Sequence, residues 1–230
     1  MNILYALLLF LAALLFVLAG VTRVSVWMIE RRHPPIGQYI TVNDTRMHFV
    51  DVAPASGATG DMPPIVFLHG ASGNLNDQKM IYESLLEGRA RMLFLDRPGH
   101  GYSSAGPRSN RLPDGQAKTV ALLLDELGID KAIIVGHSFG GAIAVSFALN
   151  HPEKTAGTVF LSPVSHPWPG GINWYYDLTA IPVVGRLFSE TLALPAGLTR
   201  IDGGTACVFA PNEPTEDYAE KMAAEPVLRP

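Results

Sequence analysis

Hydrophobic and polar positions fall into three patterns along the chain. From Ile3 to Thr22 the run ILYALLLFLAALLFVLAGVT contains no charged side chain. About 20 apolar residues, each rising about 1.5 Å, match the hydrocarbon thickness of a bilayer, so the run predicts a membrane-spanning helix over residues 3–22. A cleaved signal peptide is the competing reading. Against it, no Lys or Arg precedes the run, and the run exceeds the usual apolar core of about 7 to 15 residues. Arg23, Arg31 and Arg32 follow the span, a positive bias that predicts a single-pass protein with its main domain on the cytoplasmic face. RRHPPIG, residues 31–37, then breaks helix with two prolines and a glycine. These signals give an anchor over residues 1–24 and a linker over 25–37.

The second pattern covers residues 38–165. QYITV and RMHFVDV flank the turn signal Asn43-Asp44 and read as an antiparallel pair. PPIVFLHG, ARMLFLDRPG, KAIIVGHS and TAGTVFLSPV are short continuous apolar runs ending in turn residues, which predicts strands of a parallel sheet buried on both faces. NDQKMIYESLLEG and DGQAKTVALLLDELG have helical spacing and close on Gly88 and Gly128. A hairpin followed by βαβ units predicts an α/β fold with a mostly parallel central sheet and an active site at the carboxyl ends of its strands. The third pattern, residues 166–230, is rich in Pro and aromatic residues and shows no buried strand.

Composition narrows the function. The 230 residues are 48% hydrophobic and 17% charged, which argues against disorder. With 17 basic and 21 acidic residues the net charge is -4 and there is no basic block, so no nucleic-acid partner is expected. The single cysteine, Cys207, cannot form an intramolecular disulfide and reads as a small buried apolar side chain. No cofactor and no metal are expected.

The chemistry concentrates in IIVGHSFGGAIAV, residues 133–145. Ser138 stands where the strand KAIIVG gives way to the helix FGGAIAVSFALN. A strand-to-helix turn this sharp strains the serine backbone and needs neighbours two positions away with almost no side chain, a need Gly136 and Gly140 meet. A hydroxyl so placed rises above the sheet beside a helix N-terminus, whose free N–H groups favour developing negative charge. For the pentapeptide alone, a helix N-cap serine is the alternative. PPIVFLHGASGN, residues 63–74, ends an earlier strand at His69-Gly70, where the N–H of Ala71 could complete an oxyanion hole with that of Phe139. FLDRPGHGYSS, residues 94–104, follows the next strand.

These three motifs, in this order, resemble the α/β-hydrolase superfamily, in particular its esterase, C–C hydrolase and epoxide-hydrolase-like branch. The resemblance covers about residues 38–165. It implies an α/β-hydrolase core over 38–165, preceded by one transmembrane helix and followed by a partial helical cap over 166–230. Ser138 then matches the nucleophile, and Ala71 and Phe139 match the oxyanion donors. Dehalogenases and epoxide hydrolases of the branch carry aspartate at the nucleophile position, so serine implies attack on an acyl carbon through an acyl-enzyme. His137 is expected to point away from Ser138, His100 to belong to a structural turn, and His69 to order the oxyanion loop.

The sequence departs from that family after residue 165. The family order is serine, acid, histidine, and neither partner is identifiable here. His166 reads as a hinge residue, while Asp177 and Asp202 lie in the apparent cap. The expectation is therefore a core lacking its acid, its histidine and about two strands, inactive by itself. Trp168, Trp174, Tyr175 and Tyr176 could line an apolar pocket for a small acyl substrate or pack the cap onto the core. Two functions remain: a membrane-anchored serine hydrolase, or a non-catalytic membrane protein that keeps the half-fold for binding.

Overall fold

The structure, a computed structural model, describes residues 3–54, 62–166 and 173–230. Two compact units emerge: Met1–Pro34 with Trp168–Pro230, and Pro35–Pro167.

The second unit is the α/β sheet. Its strands are β1 (Gln38–Val42), β2 (Thr45–Val52), β3 (Ile65–Leu68), β4 (Met92–Leu95), β5 (Ala132–His137) and β6 (Thr155–Leu161), in the order β1-β2-β4-β3-β5-β6. β1 and β2 form the antiparallel hairpin about Asn43 and Asp44, both at positive φ, and β2 runs antiparallel to β4. β4, β3, β5 and β6 are parallel. Continuous apolar runs became strands because both faces are covered: every residue of β3 and β4 is buried. Crossover helices lie between them: α2 (Leu75–Leu85), α3 (Pro113–Glu126) and α4 (Phe139–Asn150). Val66, Leu68, Leu93, Leu95, Ile134, Ile143 and Phe147 belong to one core cluster with the inner face of α3. Ile65, Phe67, Met92, Phe94 and Val135 form a cluster on the opposite face, where the Phe67 ring stacks on Phe94 at 4.6 Å.

β6 corrects the expectation of full burial. It pairs only with β5 among the described residues, and Val159 and Phe160 are each 43% exposed. An apolar run specifies a strand but not how many neighbours it has, so an edge strand reads like a central one.

The first unit opens with α1 (Ile3–Arg32), an unbroken helix. Residues 25–32, expected to be linker, are helical because no breaker precedes Pro34. The non-helical link is correspondingly short. The helices that follow β6 are α5 (Trp174–Ala180), α6 (Val184–Phe188), a π turn (Ser189–Ala193), α7 (Leu194–Leu198), α8 (Ile201–Phe209) and α9 (Tyr218–Lys221). The π turn, α7 and the Glu225–Leu228 turn touch α1. Thr22 and Ile29 of α1 are buried; the Thr22 hydroxyl donates to the Thr191 carbonyl at 3.2 Å, and Arg32 bonds Glu225 at 2.8 Å. Cys207 is exposed on α8, against the buried reading: the apolar helix around it leaves that side uncovered.

Candidate active site

Ser138 occupies the bend between β5 and α4 with φ 50° and ψ -117°, a region that residues with a side chain avoid. Three hydrogen bonds hold the strained conformation. The Ser138 N–H donates to the Leu161 carbonyl at 3.0 Å, and the Ser138 carbonyl accepts from Gly141 and Val164, both at 2.9 Å. The glycines are a packing requirement. A Cβ at Gly136 would collide with the Gly140 carbonyl, and a Cβ at Gly140 with the Leu68 carbonyl. Strand and helix therefore meet backbone to backbone, which leaves Ser138 half-exposed at the carboxyl end of the sheet.

The loop after β3 comes alongside. Leu68 pairs with Gly136 across the sheet, and a Cβ at Gly70 would lie 3.2 Å from the Ser138 Cβ. Arg97, fully buried at the end of β4, clamps this loop: its Nε donates to the His69 carbonyl and one Nη to the Gly70 carbonyl, each at 2.8 Å. The other Nη donates to Gln116 Oε1 at 3.0 Å. In a trans peptide the N–H points opposite the carbonyl. With the Gly70 carbonyl held by Arg97, the Ala71 N–H is turned away from that clamp, and the guanidinium also lies 5.3 Å from the Phe139 ring centre. Arg97 was invisible as a site residue in the sequence, where a charge in a Pro-Gly turn reads as surface. The available signal was its place two residues after the wholly apolar run MLFL.

The histidines divide by environment. The Arg97 backbone N–H donates to His69 Nε2 at 3.1 Å, so the ring proton sits on Nδ1 and donates to the Gly70 carbonyl at 2.8 Å. Burial, reinforced by the Arg97 charge, holds the His69 pKa well below its usual value. Burial and then Arg97 push that of His100 down to about 4, so both rings are neutral at neutral pH. His100 Nε2 accepts from the Arg97 guanidinium at 3.2 Å, so its ring proton sits on Nδ1 and donates to the Pro98 carbonyl at 3.1 Å. Burial lowers Arg97 to about 10, with Asp96 opposing the shift.

His48 Nδ1–H donates to Asp96 at 2.7 Å, joining the hairpin to this loop system. His137 Nδ1 lies 3.5 Å from Asp77 of α2. His166 is exposed and bonds its neighbour Ser165. All seven histidines lie among the described residues, and none has a hydrogen bond to Ser138.

Asp177 and Asp202 are exposed on α5 and α8. The Tyr175 and Tyr176 rings lie tilted at 4.6 Å, while Trp174 meets Tyr175 edge-on and Phe188 of α6 tilted, each at 6.1 Å. Trp168 lies outside the described residues. Among the described residues no cluster of His, Cys, Asp and Glu could hold a metal ion.

The fold that carries this elbow is shared with known proteins. A family model described as the alpha/beta hydrolase fold matches residues 63–182, just over half of the chain. The chain belongs to the α/β-hydrolase family. It is 36% identical over 102 residues to a putative non-heme haloperoxidase of Mycobacterium phage D29, covering 44% of this chain and 36% of the relative. It is 28% identical over 175 residues to a 2-hydroxy-6-oxo-6-phenylhexa-2,4-dienoate hydrolase of Burkholderia cepacia, covering 70% of this chain and 59% of that protein. Among solved structures, Cfl2 of Burkholderia cenocepacia superposes with a TM-score of 0.63 at 24% identity, over 83% of this chain and 64% of Cfl2, a likeness of fold. The chain thus spans only part of the length of these α/β hydrolases.

Proposed function

We propose that this α/β hydrolase is a membrane-anchored serine hydrolase that attacks an ester or related acyl compound and forms an acyl-enzyme on Ser138. The observation that carries the reading is the Ser138 backbone at φ 50° and ψ -117°, held by three hydrogen bonds although a glycine would relieve it. Strain retained in that way points to a hydroxyl needed at that spot. The Ser138 oxygen adds to the acyl carbon as its proton is lost to water; the oxyanion that develops takes hydrogen bonds from the Ala71 and Phe139 N–H groups, and its collapse breaks the bond to the alcohol, which leaves with a proton and leaves the acyl-enzyme. Phe139 opens α4, so the helix N-terminus adds its partial positive charge. Loss of one such donor typically costs about 10² to 10³ in turnover. Arg97 is a positioning residue: it fixes the His69 and Gly70 carbonyls and thereby the orientation of the Ala71 peptide. The dienoate hydrolase relative keeps oxo-dienoates beside esters as candidate substrates. Residues 3–22 would anchor the protein in a single pass, with the hydrolase unit on the cytoplasmic face.

A non-catalytic binding protein is the second reading. It is favoured by one observation, that no histidine bonds Ser138, since an unassisted serine hydroxyl is a weak nucleophile. The test is to express the gene from its own locus, including whatever flanks these 230 residues, and treat membranes with a fluorophosphonate probe. The serine-hydrolase reading expects labelling that Ser138→Ala abolishes. Unlabelled wild-type protein selects the binding reading, and labelling that survives the substitution moves the nucleophile elsewhere.

A further inference from the structure

The side of α1 that is covered extends into its apolar half. Leu15, Leu18, Ala19, Thr22, Ser25, Val26, Ile29 and His33 are half-buried or buried while residues between them are exposed. Their spacing of three and four is one stripe along a helix. Two levels of this stripe are fixed by side-chain bonds. Thr22 and Arg23 meet Thr191 and Glu190 of the π turn, whereas Glu30, Arg32 and His33 meet Arg229 and Glu225. Glu225 and Arg229 therefore meet α1 at the Glu30–His33 level, and the π turn meets it at Thr22 and Arg23, next to Leu15–Ala19. Leu15 to Thr22 is seven residues, or about 10 Å of helix axis. That length belongs to the uncharged run of residues 3–22, all of which is needed to cross about 30 Å of hydrocarbon.

Protein lying against that part of a spanning helix must itself face lipid. The segment leading into the π turn has the surface this demands. Ile181, Val183, Val184, Leu187 and Leu192 are exposed, and Val183 is 80% exposed. Val183 projects because Pro182, Val183 and Val184 form a γ-turn, with Val183 at φ 68° and ψ -55° and the Val184 N–H bonded to the Pro182 carbonyl at 2.8 Å. Between Ile181 and Leu192 the charges are Arg186, whose long stem can carry the guanidinium to the headgroups, and Glu190, which pairs with Arg23. On α1, Trp27 is exposed with the Arg31 guanidinium 4.0 Å over its ring, an amphipathic pair suited to the headgroup level one to two turns beyond Thr22.

We infer that residues 181–192 lie in the bilayer surface beside α1, with Val183, Val184, Leu187 and Leu192 against lipid acyl chains. The inference rests on the reading of α1 as a membrane span and adds a second, shallower membrane contact. The protein is then held by a span and an interfacial wedge, an arrangement that opposes rotation of the first unit about the α1 axis and gives it a fixed face toward the lipid.

The test uses the full 230-residue chain with Cys207→Ser, reconstituted in phosphatidylcholine vesicles, with single cysteines carrying an environment-sensitive fluorophore. Leu187→Cys and Val183→Cys report on the wedge, and Leu9→Cys reports on the span. Expected is loss of fluorescence at positions 187 and 183 when the lipid carries bromine near the headgroup end of its acyl chains, with little loss to aqueous iodide. Quenching of Leu9→Cys by lipid together with iodide quenching of both wedge positions overturns the inference and leaves the span intact. Wedge positions quenched by neither agent are covered by protein, a second copy included, which also overturns it. Iodide quenching at all three positions removes the span, and the wedge with it.

Discussion

The β5–α4 elbow and the α1 stripe are both places where a helix meets its neighbours closely, yet they are built on opposite terms. At the elbow, glycine removes side chains until backbone touches backbone, and Gly136 and Gly140 have no room for a Cβ. On α1 the covered stripe is made of side chains, and at the exposed Gly20 beside it nothing lies within 4 Å of a Cβ. The elbow is a fixed backbone geometry with no space for added side chains at its glycines. The stripe is a side-chain surface met by Thr191 and Glu190 at one level and by Glu225 and Arg229 at another.

The sharpest way to break that contrast is to add the same methyl groups to both. Gly140→Val is expected to cost about 3 kcal/mol or more, because the rigid Leu68 carbonyl stands in the way. Gly20→Val is expected to stay within about 0.5 kcal/mol. Thermal unfolding in detergent, followed by circular dichroism, separates the two, and equal losses would erase the distinction.

Acid should act on the sheet unit through its neutral histidines. The unfolded chain takes up a proton on histidine near about pH 6.5, while folded His100 resists until about pH 4. The folded pKa lies below the unfolded one, so this contribution is complete above about pH 6.5 and is lost as the pH falls toward 4. Between pH 7 and pH 5 His100 alone costs about 2 kcal/mol, and His69 acts in the same direction. Urea unfolding across that range should show the slope, and His100→Asn should flatten it; an unchanged slope would place the acid sensitivity elsewhere.

How far these regions were legible follows from the same contrast. Strand positions and the elbow were readable because β-branched runs, turn residues and paired glycines each impose a local conformation. The stripe on α1 was not, because a uniformly apolar helix has no amphipathic signal to say which side is covered. Thr22 and Ser25 were the polar hints. Arg97 escaped because its partners are the backbone carbonyls of residues 69 and 70, and nothing in the sequence indicates where a carbonyl points. The edge position of β6 escaped because burial depends on neighbours that a single run does not describe.

Two smaller effects sharpen the comparison. Ser138→Gly should stabilise the sheet unit by about 1 kcal/mol by releasing strain at positive φ, whereas Ser138→Ala should not. A loss of stability with glycine would mean that the elbow is unstrained. Arg23→Ala removes an ion pair with Glu190 whose arginine is 67% exposed, and should change the melting behaviour by no more than about 0.5 kcal/mol. A larger loss would show that Arg23 supports the stripe through more than that pair.

The outer side of β6 carries a consequence for how this protein behaves in company. Among the described residues its far edge has no strand partner, and Val159 and Phe160 stand open beside it. Such an edge offers a ladder of donors and acceptors to any extended chain that approaches, with apolar side chains to seal the joint. At high concentration it favours self-association through added strands, with fibrous or amorphous precipitate as the end state. Whatever strand or polypeptide occupies that edge in the cell therefore acts as a guard on solubility.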